Sequence, residues 1–150
     1  MTEEQLIKGM EIAAKRGAQY NIEVLNEEIL PTLMILTQQN RIEVAHILEE
    51  KDELKNAIKD ALIARQAKAY ILVVEAWASD FIENMKNYDR VRDMPADDRY
   101  EITNITLVTQ NDKTPKFFQA RIDTQNDGRR TLREWENGSI EASRLHITDW

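Results

Sequence analysis

Apolar residues near the start of the chain recur at helical spacing and then change to alternation. Leu6, Met10, Ala13, Ala14 and Gly17 stand three or four residues apart, which puts their side chains on one face of a helix. Thr2 and Gln5 form the sequence signature of a capping box, where a hydroxyl and an amide satisfy free N–H groups at a helix start. This spacing predicts a first helix over 2–17. Ile22, Leu25 and Ile29 line one side of a second, short helical piece over 21–30, closed by Pro31, since the residue before proline is pushed out of helical geometry. Residues 1–30 therefore read as a helical N-terminal segment.

Beyond Pro31, Leu33-Met34-Ile35-Leu36-Thr37 is followed by polar Gln38-Gln39-Asn40, and then Ile42, Val44, His46 and Leu48 alternate with Arg41, Glu43 and mixed residues. Alternation and β-branching predict a β-hairpin with strands 32–37 and 41–47; one long helix through 48 is the rival reading. Leu54, Ala57, Ile58, Ala61, Leu62 and Arg65 return to helical spacing and predict a helix over 50–66. Glu49, Glu50, Asp52 and Glu53 crowd its start, where they complement the helix dipole. Residues 69–77, Ala-Tyr-Ile-Leu-Val-Val-Glu-Ala-Trp, are apolar on both parities, which predicts a central strand covered on both faces.

The stretch 79–98 is a long charged loop, with room for a short helix that Asp80 would cap and Phe81, Ile82, Met85 and Tyr88 would line. A strand over 99–109 follows. Tyr100 and Ile102 share one parity and Ile105 and Leu107 the other, so a bulge near Thr103-Asn104 is expected. Phe118, Ala120 and Ile122 alternate with Gln119, Arg121 and Asp123 in the next strand. Asn126-Asp127-Gly128 is a hairpin turn signal, a last strand covers 130–136, and Asn137-Gly138 marks another turn. No pattern decides the state of 140–150. The order helix, β-hairpin, helix, meander of three or four strands predicts one α+β domain over 1–150. Its sheet is mainly antiparallel, with the N-terminal and central helices packed on it, largely on one face.

Composition narrows the chemistry. The chain has 150 residues, no cysteine and a net charge of −7. Without cysteine there are no disulfides, thiolate metal sites or cysteine nucleophiles, which fits a reducing compartment. No apolar run approaches the ~18 residues of a membrane span, and the acidic N-terminus is unlike a signal peptide; the expectation is a cytoplasmic protein without a membrane partner. Both halves of the chain are acidic, so nucleic-acid binding is not expected. Arg129, Arg130 and Arg133 form the densest basic group, read as solvated surface rather than a phosphate site.

Among chemistry-bearing residues, Glu75 stands out. A carboxylate inside an apolar strand costs several kcal/mol unless paired or hydrogen-bonded. Arg99 opens the following strand, and a structural ion pair Glu75–Arg99 is the expected solution. The alternative is a metal-dependent hydrolase in which the strand carboxylates Glu75, Asp98 and Glu101, with His46, hold a divalent cation. No lysine follows Glu101 to activate water, and His46 and His146 lack His-Glu-x-x-His spacing. His46 reads as a hydrogen-bonded core or edge histidine. Ser79, Ser139 and Ser143 have no activating context, and Gly9, Gly17, Gly128 and Gly138 are isolated, so neither a nucleophile elbow nor a phosphate loop is formed. No catalytic residue, metal ligand or cofactor is assigned.

The apolar strand Tyr70 to Trp77 ending Glu-Ala-Trp, followed after a variable loop by Pro-x-Asp-Asp-Arg-x-Glu at Pro95 to Glu101, resembles a pattern in small uncharacterised bacterial proteins. The likeness extends over most of 30–135. It implies the two strands and their pairing; no activity attaches to it, so no catalytic residue carries over. The expectation is a non-enzymatic protein-interaction or structural domain, with self-association as a homodimer through an open sheet edge. An acidic inhibitor of a basic partner is a further alternative.

Overall fold

The computed structural model describes residues 1–49, 51–79, 87–138 and 147–150, with the side chains of all but 51 and 52. In chain order the elements are α1 (Glu3–Glu23), β1 (Thr32–Thr37), β2 (Ile42–His46), α2 (Lys51–Ala64), β3 (Ala67–Ala78), β4 (Tyr100–Thr109), β5 (Lys116–Thr124), β6 (Arg130–Leu132) and β7 (Glu136–Asn137). The strands form one antiparallel sheet in the order β2-β1-β3-β4-β5-β6, and β7 also pairs with β5. The fold is α+β with a mainly antiparallel sheet, as the pattern predicts.

The capping box forms: Gln5 N–H donates to Thr2 Oγ1 at 3.2 Å and Thr2 N–H donates to Gln5 Oε1 at 2.9 Å. The first helix does not stop at Gly17, and the separate helical piece over 21–30 is not there. Instead Met10, Ala14, Ala18 and Ile22 make one buried stripe at i+4 spacing. Burying Ala18 and Ile22 offsets the ~1 kcal/mol that glycine costs inside a helix. The turn after Glu23 is made by Asn26 at φ 51°, a left-handed geometry that asparagine tolerates better than most residues.

The two helices lie on opposite faces of the sheet rather than largely on one. The α1 stripe packs on Met34 and Leu36 of β1, Ala69, Ile71 and Val73 of β3, Ile105 and Leu107 of β4 and Ile122 of β5. Leu54, Ile58 and Leu62 of α2 pack on the other parity: Leu33 and Ile35, Tyr70 and Leu72, and Val108. Two covered faces explain why β4 is apolar on both parities, so the expected bulge at Thr103-Asn104 is unnecessary. β4 pairs with β3 in unbroken register from Tyr100 to Thr109. The register shift lies elsewhere, where β1 meets the start of β3 between Leu36 and Thr37.

The hairpin reading of 32–47 holds and the long-helix rival does not. The Asn126-Asp127-Gly128 turn also forms, with Gly128 at φ 87°. The last strand is split into β6 and β7, and Trp135 between them packs against the core under α1. The short helix expected around 80–86, and most of the 140–150 tail, lie outside the described residues. The tail's end is docked: Ile147 is buried, and Trp150 meets the Tyr70 ring edge-on at 5.4 Å and donates from Nε1 to Ala67 O at 2.7 Å. Tyr70 Oη donates to Ile147 O at 2.8 Å and accepts from Ile147 N–H at 2.7 Å. Burial pushes the Tyr70 hydroxyl pKa up to about 12.

One hydroxyl thus satisfies both backbone groups of Ile147. Tyr70→Phe strands them in the core and is expected to lower the unfolding free energy by about 1–3 kcal/mol. A thermal melt checks this; an unchanged Tm contradicts the docking.

Candidate functional site

On the α1 face of β3, Ala69, Ile71 and Val73 are roofed by the helix. The next residue of that parity is Glu75, beside the chain that leaves α1. Its side chain is 10% exposed. Oε1 accepts the Ile29 N–H at 2.9 Å and Arg130 Nη2 at 3.1 Å, and Oε2 accepts Arg130 Nη1 at 3.2 Å. This fork-on-fork geometry is the strongest form of carboxylate recognition. Arg130 Nη2 also donates to Glu27 O.

The partner of Glu75 is therefore Arg130, and the expected Glu75–Arg99 pair does not form. Arg99 lies over the Trp77 ring, 4.3 Å from its centroid, and donates from Nη1 to Arg92 O. Adjacent strands offered Arg99 by sequence proximity. Its guanidinium is drawn instead to the partly exposed indole and to the turn at Val91–Asp93.

The polypeptide around Arg130 is held as tightly as its side chain. Arg130 N–H donates to Asn26 Oδ1 at 3.1 Å, Asn26 Nδ2 donates to Gly128 O at 3.3 Å, and Leu132 N–H donates to Glu23 Oε2 at 2.9 Å. The Leu132 bond, with one from Gln19, holds the Glu23 carboxyl below its usual range. These are amides of β6 that face away from β5, so the end of α1 and the turn after it close that edge of the sheet.

Of the acids considered for a metal, only Glu75 and Glu101 come together. Glu101 Oε2 lies 3.7 Å from Arg130 Nη1. Burial pushes the Glu101 carboxyl up, the Glu75 charge adds to this, and Arg130 only partly opposes it. Asp98 ends a short turn, Ala96–Asp98, and its carbonyl accepts the Ser79 hydroxyl. His46 lies two strands from β3 on an exposed stretch, with Nδ1 3.0 Å from Thr32 Oγ1. Among the described residues no group of three or more His, Asp or Glu side chains is placed to hold a metal ion. His146 lies outside the described residues.

Two open clefts border this region. One, of about 620 Å³, runs from Glu23 past Arg129 and Arg130 to Thr131. The other, of about 290 Å³, runs between Asp97, Asp98, Arg121 and Arg133. In the first cleft Arg130 is held by Glu75, and in the second Arg133 grips Asp123 with Nε–Oδ2 at 2.7 Å and Nη2–Oδ1 at 2.9 Å.

Sequence reasoning identified Glu75 as a residue in need of a partner and missed the residues that supply it. Arg130, Glu23 and Asn26 carry no motif; they meet because α1 runs past β6, which local spacing does not encode. Comparisons with protein-family models, with curated proteins and with solved structures give no match to this chain. Among the described residues no helix is long and apolar enough to cross a membrane.

The geometry separates the two arginines. Arg130→Met leaves a buried carboxylate unpaired and is expected to cost about 3–5 kcal/mol, whereas Arg99→Met loses a partly exposed cation–π contact and an exposed hydrogen bond to Arg92 O, together worth about 1–2 kcal/mol. Urea denaturation of both variants decides; equal losses would restore Arg99 as a serious partner.

Glu101 gives a pH dependence of definite sign. A carboxyl whose folded pKa lies above its unfolded one binds its proton more tightly in the native state. Stability is therefore lost as pH rises from the ordinary value near 4.5 through the raised folded value. Glu101→Gln removes that loss. Its Tm should exceed the wild type at pH 7, with the gain shrinking through that window and absent below it. A Tm at pH 7 at or below the wild type refutes the assignment.

Proposed function

We propose that this chain is a non-enzymatic protein-interaction domain that works through the open edge of its sheet at β2. The observation that carries this reading is the inequality of the two edges. At β6 the outward amides are occupied by Asn26 and Glu23. At β2 one side pairs with β1 and the other faces solvent. The strand is exposed along nearly its whole length, with Ile42 at 45% and Val44 at 59%, and Leu48 beyond it at 76%. Apolar side chains beside unpaired backbone groups favour strand addition, in which main-chain bonds supply affinity and alternate side chains supply selectivity.

Lysine, proline and a bulge, three of the devices that blunt an edge, are missing here, and Glu43 is the one charged residue of the strand. β2 has no lysine or proline, and its register with β1 is continuous over five pairs. An edge of this kind pairs with another strand unless something prevents it. The hydrolase alternative has no comparable support, because Glu75, its central acid, already accepts three hydrogen bonds that hold the fold together.

A photocrosslinking amino acid placed at Val44 in the living cell tests the reading, with the exposed α2 position Asn56 as control. A discrete adduct at Val44 that is absent at Asn56 is expected. Labelling at Val44 no greater than at Asn56 rejects the β2 edge as the working surface.

A further inference from the structure

We infer that the strand received by β2 is the β2 of a second copy, paired antiparallel about a two-fold axis at Val44. This rests on the reading of β2 as an interaction edge and goes further by naming the occupant. The backbone directions come first. Arg41 O accepts from Thr37 N–H at 2.8 Å, and Ile47 N–H donates to Pro31 O at 2.8 Å. The odd-numbered residues of this stretch thus turn their backbone groups towards β1. By the alternation of an antiparallel ladder, Ile42, Val44 and His46 turn theirs outward.

Those three residues are symmetric about Val44. A two-fold axis there sets Val44 opposite Val44 and Ile42 opposite His46 on both sides, so each of the three pairs exchanges an N–H and a C=O and the outward groups of β2 are all used. Centring the axis on Glu43 or on Ala45 uses only two of the three residues in each copy. The Glu43 register also sets one glutamate against another, which is unfavourable. With the axis at Val44, Glu43 faces Ala45.

Charge points the same way. The chain carries −7, yet from Gln38 to Leu48 there is one arginine and one glutamate, which cancel. Two acidic molecules meet with least repulsion along a neutral strand. The side chains brought together, Val44 against Val44 and Ile42 against His46, lie on the α1 face, on the same parity as the buried Met34 and Leu36. The apolar row of each sheet would therefore run on into the other.

Sedimentation from micromolar to submillimolar concentration tests the inference. The wild type is expected to approach twice the chain mass. Val44→Pro removes an outward N–H while taking no bond from β1, and proline is tolerated on an edge strand. Val44→Lys sets two like charges opposite each other. Both should sediment as monomers with the wild-type circular dichroism spectrum; if Val44→Pro does not fold, Val44→Lys alone decides. A wild type that stays monomeric throughout overturns the inference, as does a dimer that survives in the folded variants. Failure of the broader reading looks different. A monomeric wild type with a discrete Val44 adduct to another protein removes the second copy and keeps the edge, whereas a monomer with no adduct removes both.

Discussion

A carboxylate buried on an apolar strand, matched by one arginine from the edge strand β6, organises this molecule. Glu75 is placed on the α1 face by the pleat that also buries Ile71 and Val73. It cannot be left charged and alone there without a cost of several kcal/mol. Arg130 meets it with both Nη atoms, while bonds from the same residue reach Glu27 and Asn26. The strand β3, the turn after α1 and the β5–β6 hairpin are thus tied at one point. Such a pair contributes little net stability compared with well-packed apolar residues of the same volume. Its effect is to penalise arrangements in which the hairpin and the helix end do not meet.

This explains which parts of the structure are legible in the sequence. Each element with one buried face could be read from its own period: the α2 stripe from Leu54 to Leu62, the alternation of Phe118, Ala120 and Ile122, and the turn at Gly128. That Glu75 required a partner was legible too, because desolvation is a local property of the strand. The choice of partner was not. Arg99 is nearer in sequence and on the neighbouring strand, but the decision lies with the path of α1 and the β6 edge, and no residue spacing records that path.

The errors about β4 and α1 share a cause. An apolar run read against one covered face looks irregular, so Ile102 and Ile105 suggested a bulge. Read against two covered faces, the same residues are regular: Ile105 lies in the core under α1, and Ile102, of the other parity, is buried as well. Likewise the helical series read from Leu6 to Gly17 stops short of the end of the helix, whose buried stripe continues through Ala18 and Ile22. In both places long-range packing outweighs a local preference of about 1 kcal/mol.

The unequal edges follow from the dimensions of the parts. Six strands at about 4.8 Å spacing make a sheet roughly 25 Å wide, and a helix with its side chains is about 10 Å across, so one helix on a face covers about two strands at any level. The 21 residues of α1 give it a length of about 30 Å. Over that length it passes above β3 and β4 and ends at β6, where Glu23 and Asn26 occupy the free amides. With its end held at β6, α1 reaches as far as β1 and leaves β2 uncovered. Ile42 and Val44 keep the alternation of a strand with a buried face, yet that face is exposed because, among the described residues, the one helix on their side is engaged elsewhere. The Glu75–Arg130 pair and the open β2 edge are thus two consequences of one path: anchoring the end of α1 at β6 closes that side of the sheet and leaves the other available.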